Sequence, residues 1–142
     1  METVLPNFAR QARRGGRSRR ISPRMRGHLL EREFFRIMTF YRGRHPEWLL
    51  DFFKAEDYLE RYKVDAIART ADGALFYLQI KSSLPEEIAF ESEHHRVPCL
   101  LIEVGERTDI VFDRTIQRLE GLRARFLAWQ NSEATSLLQA AE

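Results

Sequence analysis

The chain has little cysteine and no long apolar run. Its one cysteine, Cys99, cannot form a disulfide within the chain or build a cysteine-rich zinc site. Cys99 lies in the apolar stretch VPCLLIEV, which predicts a buried thiol that packs as a small hydrophobic group. No apolar run approaches the roughly 18 to 20 residues of a membrane span, and the N-terminus lacks the apolar segment of a secretory signal. We therefore expect a cytoplasmic protein with no membrane partner.

Acidic residues are scarce at the start of the chain. Residues 1–28 contain eight arginines and one acid, Glu2, for a charge of +7; because the whole chain carries +2, the remaining residues sum to −5. Residues 1–21 predict a disordered basic arm that could neutralise phosphates or another acidic surface. A merely solubilising terminus is the alternative. The arginines that would contact nucleic acid are Arg13, Arg14, Arg17, Arg19 and Arg20.

Residues 22–129 predict one domain, followed by a C-terminal tail over residues 130–142. Ser22-Pro23 is typical of a helix start, and an apolar stripe then continues at helical spacing to Tyr41. Residues 47–60 are ambiguous between strand and helix, with a short strand favoured. Residues 97–104 predict a buried strand, residues 109–112 a further edge strand, and residues 115–129 a closing helix. Residues 130–142 predict a weak helix or a frayed tail.

The hairpin around Asp72-Gly73 has a register that the side chains themselves select. A two-residue loop would place polar residues opposite apolar ones, with Val64 facing Lys81. A three-residue loop, with Gly73 in the left-handed conformation, instead gives one wholly apolar face. That face pairs Val64 with Ile80, Ala66 with Leu78 and Ala68 with Phe76. We therefore expect the three-residue loop.

This register places Asp65, Gln79 and Lys81 together on the other face of the hairpin. A carboxylate and an amide oxygen are ligands that Mg²⁺ accepts, and a nearby lysine can orient a water or stabilise a phosphorane. Glu31 is a candidate further ligand, because it lies at the edge of the apolar arc of the first helix; Glu33 is the alternate. The alternative for Asp65 and Lys81 is an ordinary cross-strand ion pair on a solvated face.

The order of these residues resembles that of the PD-(D/E)XK, or restriction-endonuclease-like, nucleases. The resemblance rests on Gly27 and Glu31 in a first helix, Val64-Asp65 in a strand, Asp72-Gly73 at a turn, and Gln79-Ile80-Lys81-Ser82-Ser83. It implies an α/β fold, namely an α/β/α sandwich around a short mixed β-sheet. Small bacterial proteins with a similar VD…DG…QxKSS hairpin look closest.

The resemblance also implies a function and its residues. It implies hydrolysis of DNA with Mg²⁺ or Mn²⁺ held by Asp65, Gln79 and Glu31, and with Lys81 as the catalytic lysine. Ser82 and Ser83 are candidates for phosphate contact, and a homodimer is expected of many members. Two positions depart from the family pattern: Val64 stands where a proline is common, and Gln79 stands where an acid is common. A non-catalytic module that binds nucleic acid or protein is therefore the alternative function.

Overall fold

The computed structural model describes residues 23–55, 64–82, 97–103 and 105–141. Two helices and four strands make up this part of the chain, with a 3-10 turn at Arg42–Arg44 after the first helix. The helices are α1 (Pro23–Phe40) and α2 (Thr108–Ala141). The strands are β1 (Leu49–Lys54), β2 (Ala66–Thr70), β3 (Leu75–Lys81) and β4 (Cys99–Leu101).

The four strands form one mixed sheet in the order β1-β2-β3-β4. The pairs β1–β2 and β2–β3 are antiparallel, whereas β4 lies parallel to β3. Together with the two helices this is a small α/β fold. The strand favoured within residues 47–60 is confirmed as β1, and the strand expected over residues 97–104 is confirmed in a shorter form as β4.

The β2–β3 hairpin has the register that the side chains predicted. Ala66 pairs with Leu78 and Ala68 with Phe76, and Thr70 closes the loop by hydrogen bonds with Ala74. Gly73 has a φ of 82°, the left-handed conformation that a residue without Cβ adopts at little cost. The three-residue loop is therefore confirmed.

Both helices pack on the same face of the sheet. Their buried side chains join the even-numbered residues of β2 and β3 in one core, which includes Phe34 and Ile37 of α1 and Val111 and Leu119 of α2. The apolar stripe predicted for the first helix is confirmed, because Leu30, Phe34, Ile37 and Met38 are buried. Among the described residues no helix covers the opposite face of the sheet, so they form two layers.

The second helix begins earlier than predicted, and its far end agrees with the helix alternative for the C-terminal tail. Residues 109–112, expected as an edge strand, form the first turn of α2 instead, because Thr108, Val111, Phe112 and Thr115 are buried at helical spacing. A short apolar run without periodicity does not distinguish a strand from the first turn of a helix. The helix also continues through residues 130–141 to Ala141. No helix in the described part of the chain has the length and apolar character needed to cross a membrane.

Long-range polar contacts fix α2 against the sheet and α1. The guanidinium of Arg123 donates to both carboxylate oxygens of Asp72 in the hairpin loop, at 2.6 and 3.3 Å, and lies over the ring of Trp48. Near the start of α2, the hydroxyls of Tyr41 and Thr108 are hydrogen-bonded at 3.0 Å. The hairpin that carries the candidate residues is thus held at its loop end, while its other end meets α1.

Candidate functional site

Asp65 interrupts the ladder where β2 and β3 separate. The regular pairs end at Ala66 and Leu78, and the N–H of Asp65 donates to the Leu78 carbonyl at 2.8 Å. The N–H of Ile80, which a regular ladder would direct to a backbone carbonyl of β2, donates instead to Oδ2 of Asp65 at 2.8 Å. The carboxylate therefore lies between the two strands, in the place of a backbone acceptor.

This irregularity changes the face on which Val64 lies. The sequence predicted that Val64 shares the core face with Ala66, opposite Ile80. In the structure Val64 packs instead with Ala55, Ile67 and Val97 in a second, smaller apolar cluster. The alternation of side chains shifts at Asp65, because its carboxylate replaces one backbone acceptor of the ladder. A period-two pattern has no signal for such a local replacement.

Glu31 reaches Asp65 from α1. It is the acid at the edge of the apolar arc, its side chain is only 13% exposed, and the carboxyl groups of Glu31 and Asp65 share a hydrogen bond. Glu33, the alternate acid, pairs with Arg36 at 2.8 Å within its own helix. The structure therefore brings Glu31, and not Glu33, to the candidate site.

The carboxyl pair retains a proton at neutral pH. Burial is the largest cause that raises the pKa of Asp65, and together with the hydrogen bond to Glu31 and the negative charge of Glu31 it brings this pKa to about 8. The N–H of Ile80 and the charge of Lys81 act against this rise and lower the pKa. Two carboxylates in contact in a half-buried place must share a proton or a cation.

Lys81 and Gln79 lie on β3 on either side of Ile80. Lys81 is close enough for its charge to act on Asp65, and it is half-buried. Gln79 is 7% exposed, and its Oε1 atom is buried without a hydrogen-bond partner. Because Leu78 and Ile80 point into the main core, Gln79 and Lys81 share the opposite face of the sheet. The common face predicted for them is present, whereas Asp65 lies in the plane between the strands.

The residue that sequence reasoning missed is His28. Its Nδ1 lies 3.7 Å from Oε2 of Glu31, one helical turn away along α1. The spacing of three residues on one helix was the available signal. His28 extends the group of polar side chains toward solvent, since it is 52% exposed.

Of the other residues predicted for the site, the structure describes some and not others. Ser82 follows β3 directly and is half-buried. Ser83 and the arginines of the basic arm lie outside the described residues, so their predicted phosphate contacts stay predictions. Cys99 is a buried thiol, as the sequence predicted, and it pairs with Gln79 across β3 and β4.

The donor set fits a hard cation better than a soft one. A cation could take the place of the proton between the carboxyls of Glu31 and Asp65, and the unpartnered oxygen of Gln79 is a neutral donor on the sheet face opposite the core. Within the ranges that the structure describes, no three His, Cys, Asp or Glu side chains cluster as a metal site. A Mg²⁺ ion here would therefore depend on two carboxylates, an amide oxygen and water molecules.

Comparisons with protein families, with curated proteins and with solved structures found no match for this chain. The interpretation of the site therefore depends on the residues and contacts described above.

Proposed function

We propose that this protein is a Mg²⁺- or Mn²⁺-dependent nuclease that hydrolyses phosphodiester bonds, with DNA as the substrate. We also propose that it is related to the restriction-endonuclease-like nucleases, which its sequence resembles. The observation that carries it is the contact between the Glu31 and Asp65 carboxyls beside Lys81, at the point where β2 and β3 separate. Three ionisable groups gathered at a half-buried strand end are unusual in a purely structural role.

Each side chain has a role that its surroundings support. Asp65 and Glu31 would hold the metal ion, with the Ile80 N–H fixing one oxygen of Asp65. Gln79 would add its amide oxygen, and its lack of a hydrogen bond leaves that oxygen available. Lys81 would orient the attacking water or stabilise the charge that develops on the phosphate. When bound, the metal ion would polarise the phosphate and lower the pKa of a water.

The test is cleavage of defined DNA substrates by the purified protein. Supercoiled, linear, branched and single-stranded DNA are incubated with Mg²⁺ or Mn²⁺, and the initial rates of Lys81→Ala and Asp65→Asn are compared with that of the wild type. We expect each variant to lose at least about a hundredfold in rate, the usual scale for a lost catalytic or charge-stabilising group.

Two substitutions outside the site serve as matched controls. Lys54→Ala removes an exposed lysine from β1, and Asp113→Asn removes an exposed acid that pairs with Arg44 on the surface. Both should cleave at the wild-type rate. A wild type that cleaves none of the substrates, or site variants that cleave as fast as the controls, would refute the nuclease proposal.

The second candidate is a non-catalytic module that binds nucleic acid or a protein. Gln79 is the observation that favours it, because the amide supplies one negative charge fewer than the acid common at this position. The same experiment separates the two functions. Binding of DNA without cleavage, unaffected by Lys81→Ala, would support the module.

A further inference from the structure

The sheet face that carries Gln79 and Lys81 continues into an exposed apolar strip. Phe53 of β1, Ile67 of β2 and Tyr77 of β3 pair in one row across the sheet, so their side chains share this face. Ile67 is buried, but Phe53 and Tyr77 on either side of it are 41% and 40% exposed. Leu75, one position further along the same face of β3, is 45% exposed.

The spacing of this strip suits a chain of nucleotides. Tyr77 lies four residues from Lys81 on one strand, about 13 Å at the usual rise, and Phe53 lies two strand widths from Tyr77, about 10 Å. The strip and the candidate catalytic residues are therefore within reach of one short oligonucleotide.

The charged side chains on this face would not repel the phosphates of a nucleic acid. Asp51 is neutralised by two hydrogen bonds from Arg69, at 3.1 and 2.8 Å, beside Leu75. Lys81 supplies a positive charge at the end of β3. An apolar sheet face flanked by aromatic rings and leading to a lysine has the composition of a stacking surface for bases.

We propose that the Phe53–Tyr77 face, with Leu75, binds the unpaired bases of a single-stranded nucleic acid and directs its backbone toward Lys81. The inference rests on the proposed function for what happens at Lys81, and it narrows the substrate to single strands or to the unpaired part of a branched molecule. Aromatic rings stack on any base, so the face would bind without sequence preference.

The test measures binding in EDTA, so that no cleavage step enters. Fluorescence anisotropy of a labelled 12-nucleotide single strand is compared with that of the matching duplex, for the wild type and for Tyr77→Ala and Phe53→Ala. We expect the wild type to prefer the single strand and each variant to lose about tenfold in affinity, from the roughly 1–3 kcal/mol of a lost stacking contact. Tyr77→Phe should retain the affinity, whereas Tyr77→Leu, which stays apolar, should lose it.

Phe40→Ala is the matched control, because Phe40 is a 64% exposed aromatic residue on α1, away from this face. Thermal unfolding of each variant shows whether it folds, and Phe53→Leu replaces any variant that does not. Equal affinities for single strand and duplex, or unchanged affinities in Tyr77→Leu and Phe53→Leu, would overturn the inference. A change in oligomeric state of the variants without a change in single-strand affinity would assign the face to self-association and also overturn it.

The outcomes for binding and for cleavage are separable. If single-strand binding depends on Tyr77 but the protein cleaves no DNA, the stacking surface is supported and the nuclease proposal is refuted. If the protein cleaves duplex DNA and Tyr77→Leu does not change the rate, the nuclease proposal is supported and the stacking surface is refuted.

Discussion

Asp65 is both a structural acceptor and a candidate ligand, since one of its two carboxylate oxygens accepts the Ile80 N–H. Its Oδ2 atom holds the Ile80 N–H, and its protonated form is favoured by burial and by Glu31. In the absence of a cation, ionisation of Asp65 would place a second charge beside Glu31. Asp65 therefore determines how the stability of the fold responds to pH.

The raised pKa of Asp65 predicts a fall in stability with rising pH. The folded state keeps a proton up to about pH 8, whereas the unfolded state loses it near 3.8, so the free energy of unfolding decreases between these values. The limiting slope is about 1.4 kcal/mol per pH unit. Urea unfolding in EDTA at several pH values between 5 and 8 should show this slope in the wild type.

Asp65→Asn removes the titrating group and keeps an oxygen for Ile80 and an N–H₂ for Glu31. Its free energy of unfolding should therefore depend less on pH than that of the wild type, with the largest gain near pH 8. Asp113→Asn, in an exposed pair, should follow the wild type. A wild type and an Asp65→Asn variant with parallel pH profiles would show that Asp65 is not the group responsible.

The unpartnered oxygen of Gln79 makes a second prediction at this scale. A buried acceptor without a hydrogen bond lowers stability, so its replacement by an apolar group of similar shape is neutral or favourable. Gln79→Met should keep the free energy of unfolding or raise it by up to about 1 kcal/mol, while it weakens binding of Mg²⁺. Urea unfolding and titration calorimetry with Mg²⁺ measure the two effects.

A loss of more than about 1 kcal/mol in Gln79→Met would contradict this account, because it would mean that the amide contributes to the fold. Equal Mg²⁺ affinities of the variant and the wild type would exclude Gln79 as a ligand.

Among the elements, the hairpin was the most predictable from the sequence. One register gives it a wholly apolar core face, and Gly73 marks the position in its loop that needs a positive φ, so pattern and turn chemistry agree. The first helix was predictable for the same reason, and the acid within its apolar arc, Glu31, was identified by its position. Residues 109–112 were not, because four residues cannot distinguish the two periodicities.

For the candidate site, the sequence predicted which residues lie close together but not their exact positions. The sequence brought Glu31, Asp65 and Lys81 to one end of the hairpin, but it placed Asp65 on a sheet face. The observed position depends on one side-chain hydrogen bond that replaces a backbone bond, at Ile80. Such an exchange depends on tertiary packing and leaves no trace in the hydrophobic pattern.

Two glycines in different elements predict opposite responses to alanine. Gly73 has a φ of 82° in the hairpin loop, whereas Gly121 lies within α2, and an added Cβ meets no atom within 4 Å at either position. Conformation alone therefore decides the result. Gly73→Ala should lower the free energy of unfolding by about 1 kcal/mol, and Gly121→Ala should raise it by up to about 1 kcal/mol.

Urea unfolding of both variants checks this pair. An unchanged Gly73→Ala would mean that the loop tolerates another conformation, and a destabilised Gly121→Ala would mean that α2 is not helical at that position.

At the scale of the whole molecule, positive charge is concentrated in the sequence before α1, while the rest of the chain carries a net negative charge. If the arginines of residues 1–21 bind phosphates, each contact releases counterions, and binding weakens as salt rises. Residues 1–21 and the exposed sheet face would then contribute to binding in different ways, one electrostatic and one largely apolar.

Deletion of residues 1–21 should therefore reduce the salt dependence of nucleic-acid binding. The slope of log K against log salt should become shallower by up to about 4.5 for duplex DNA, if five arginines contact phosphates. The loss of affinity caused by Tyr77→Leu should be the same with and without these residues. Fluorescence anisotropy at salt concentrations from 50 to about 300 mM measures the slope, and an unchanged slope would exclude the arm from the contact.

The length of α2 has a consequence for how the molecule can be observed. Thirty-four residues at about 1.5 Å each span about 51 Å, and the last buried residue is Leu119, in the first half of the helix. The helix still meets the sheet at Phe126, whose ring contacts that of Phe76. The turns after Phe126 are a spacer, and Leu138 near its far end lies about 18 Å from Phe126 along the axis. A fluorophore attached there would sit at a known separation from the sheet, and energy transfer to a labelled oligonucleotide would measure where a bound strand begins.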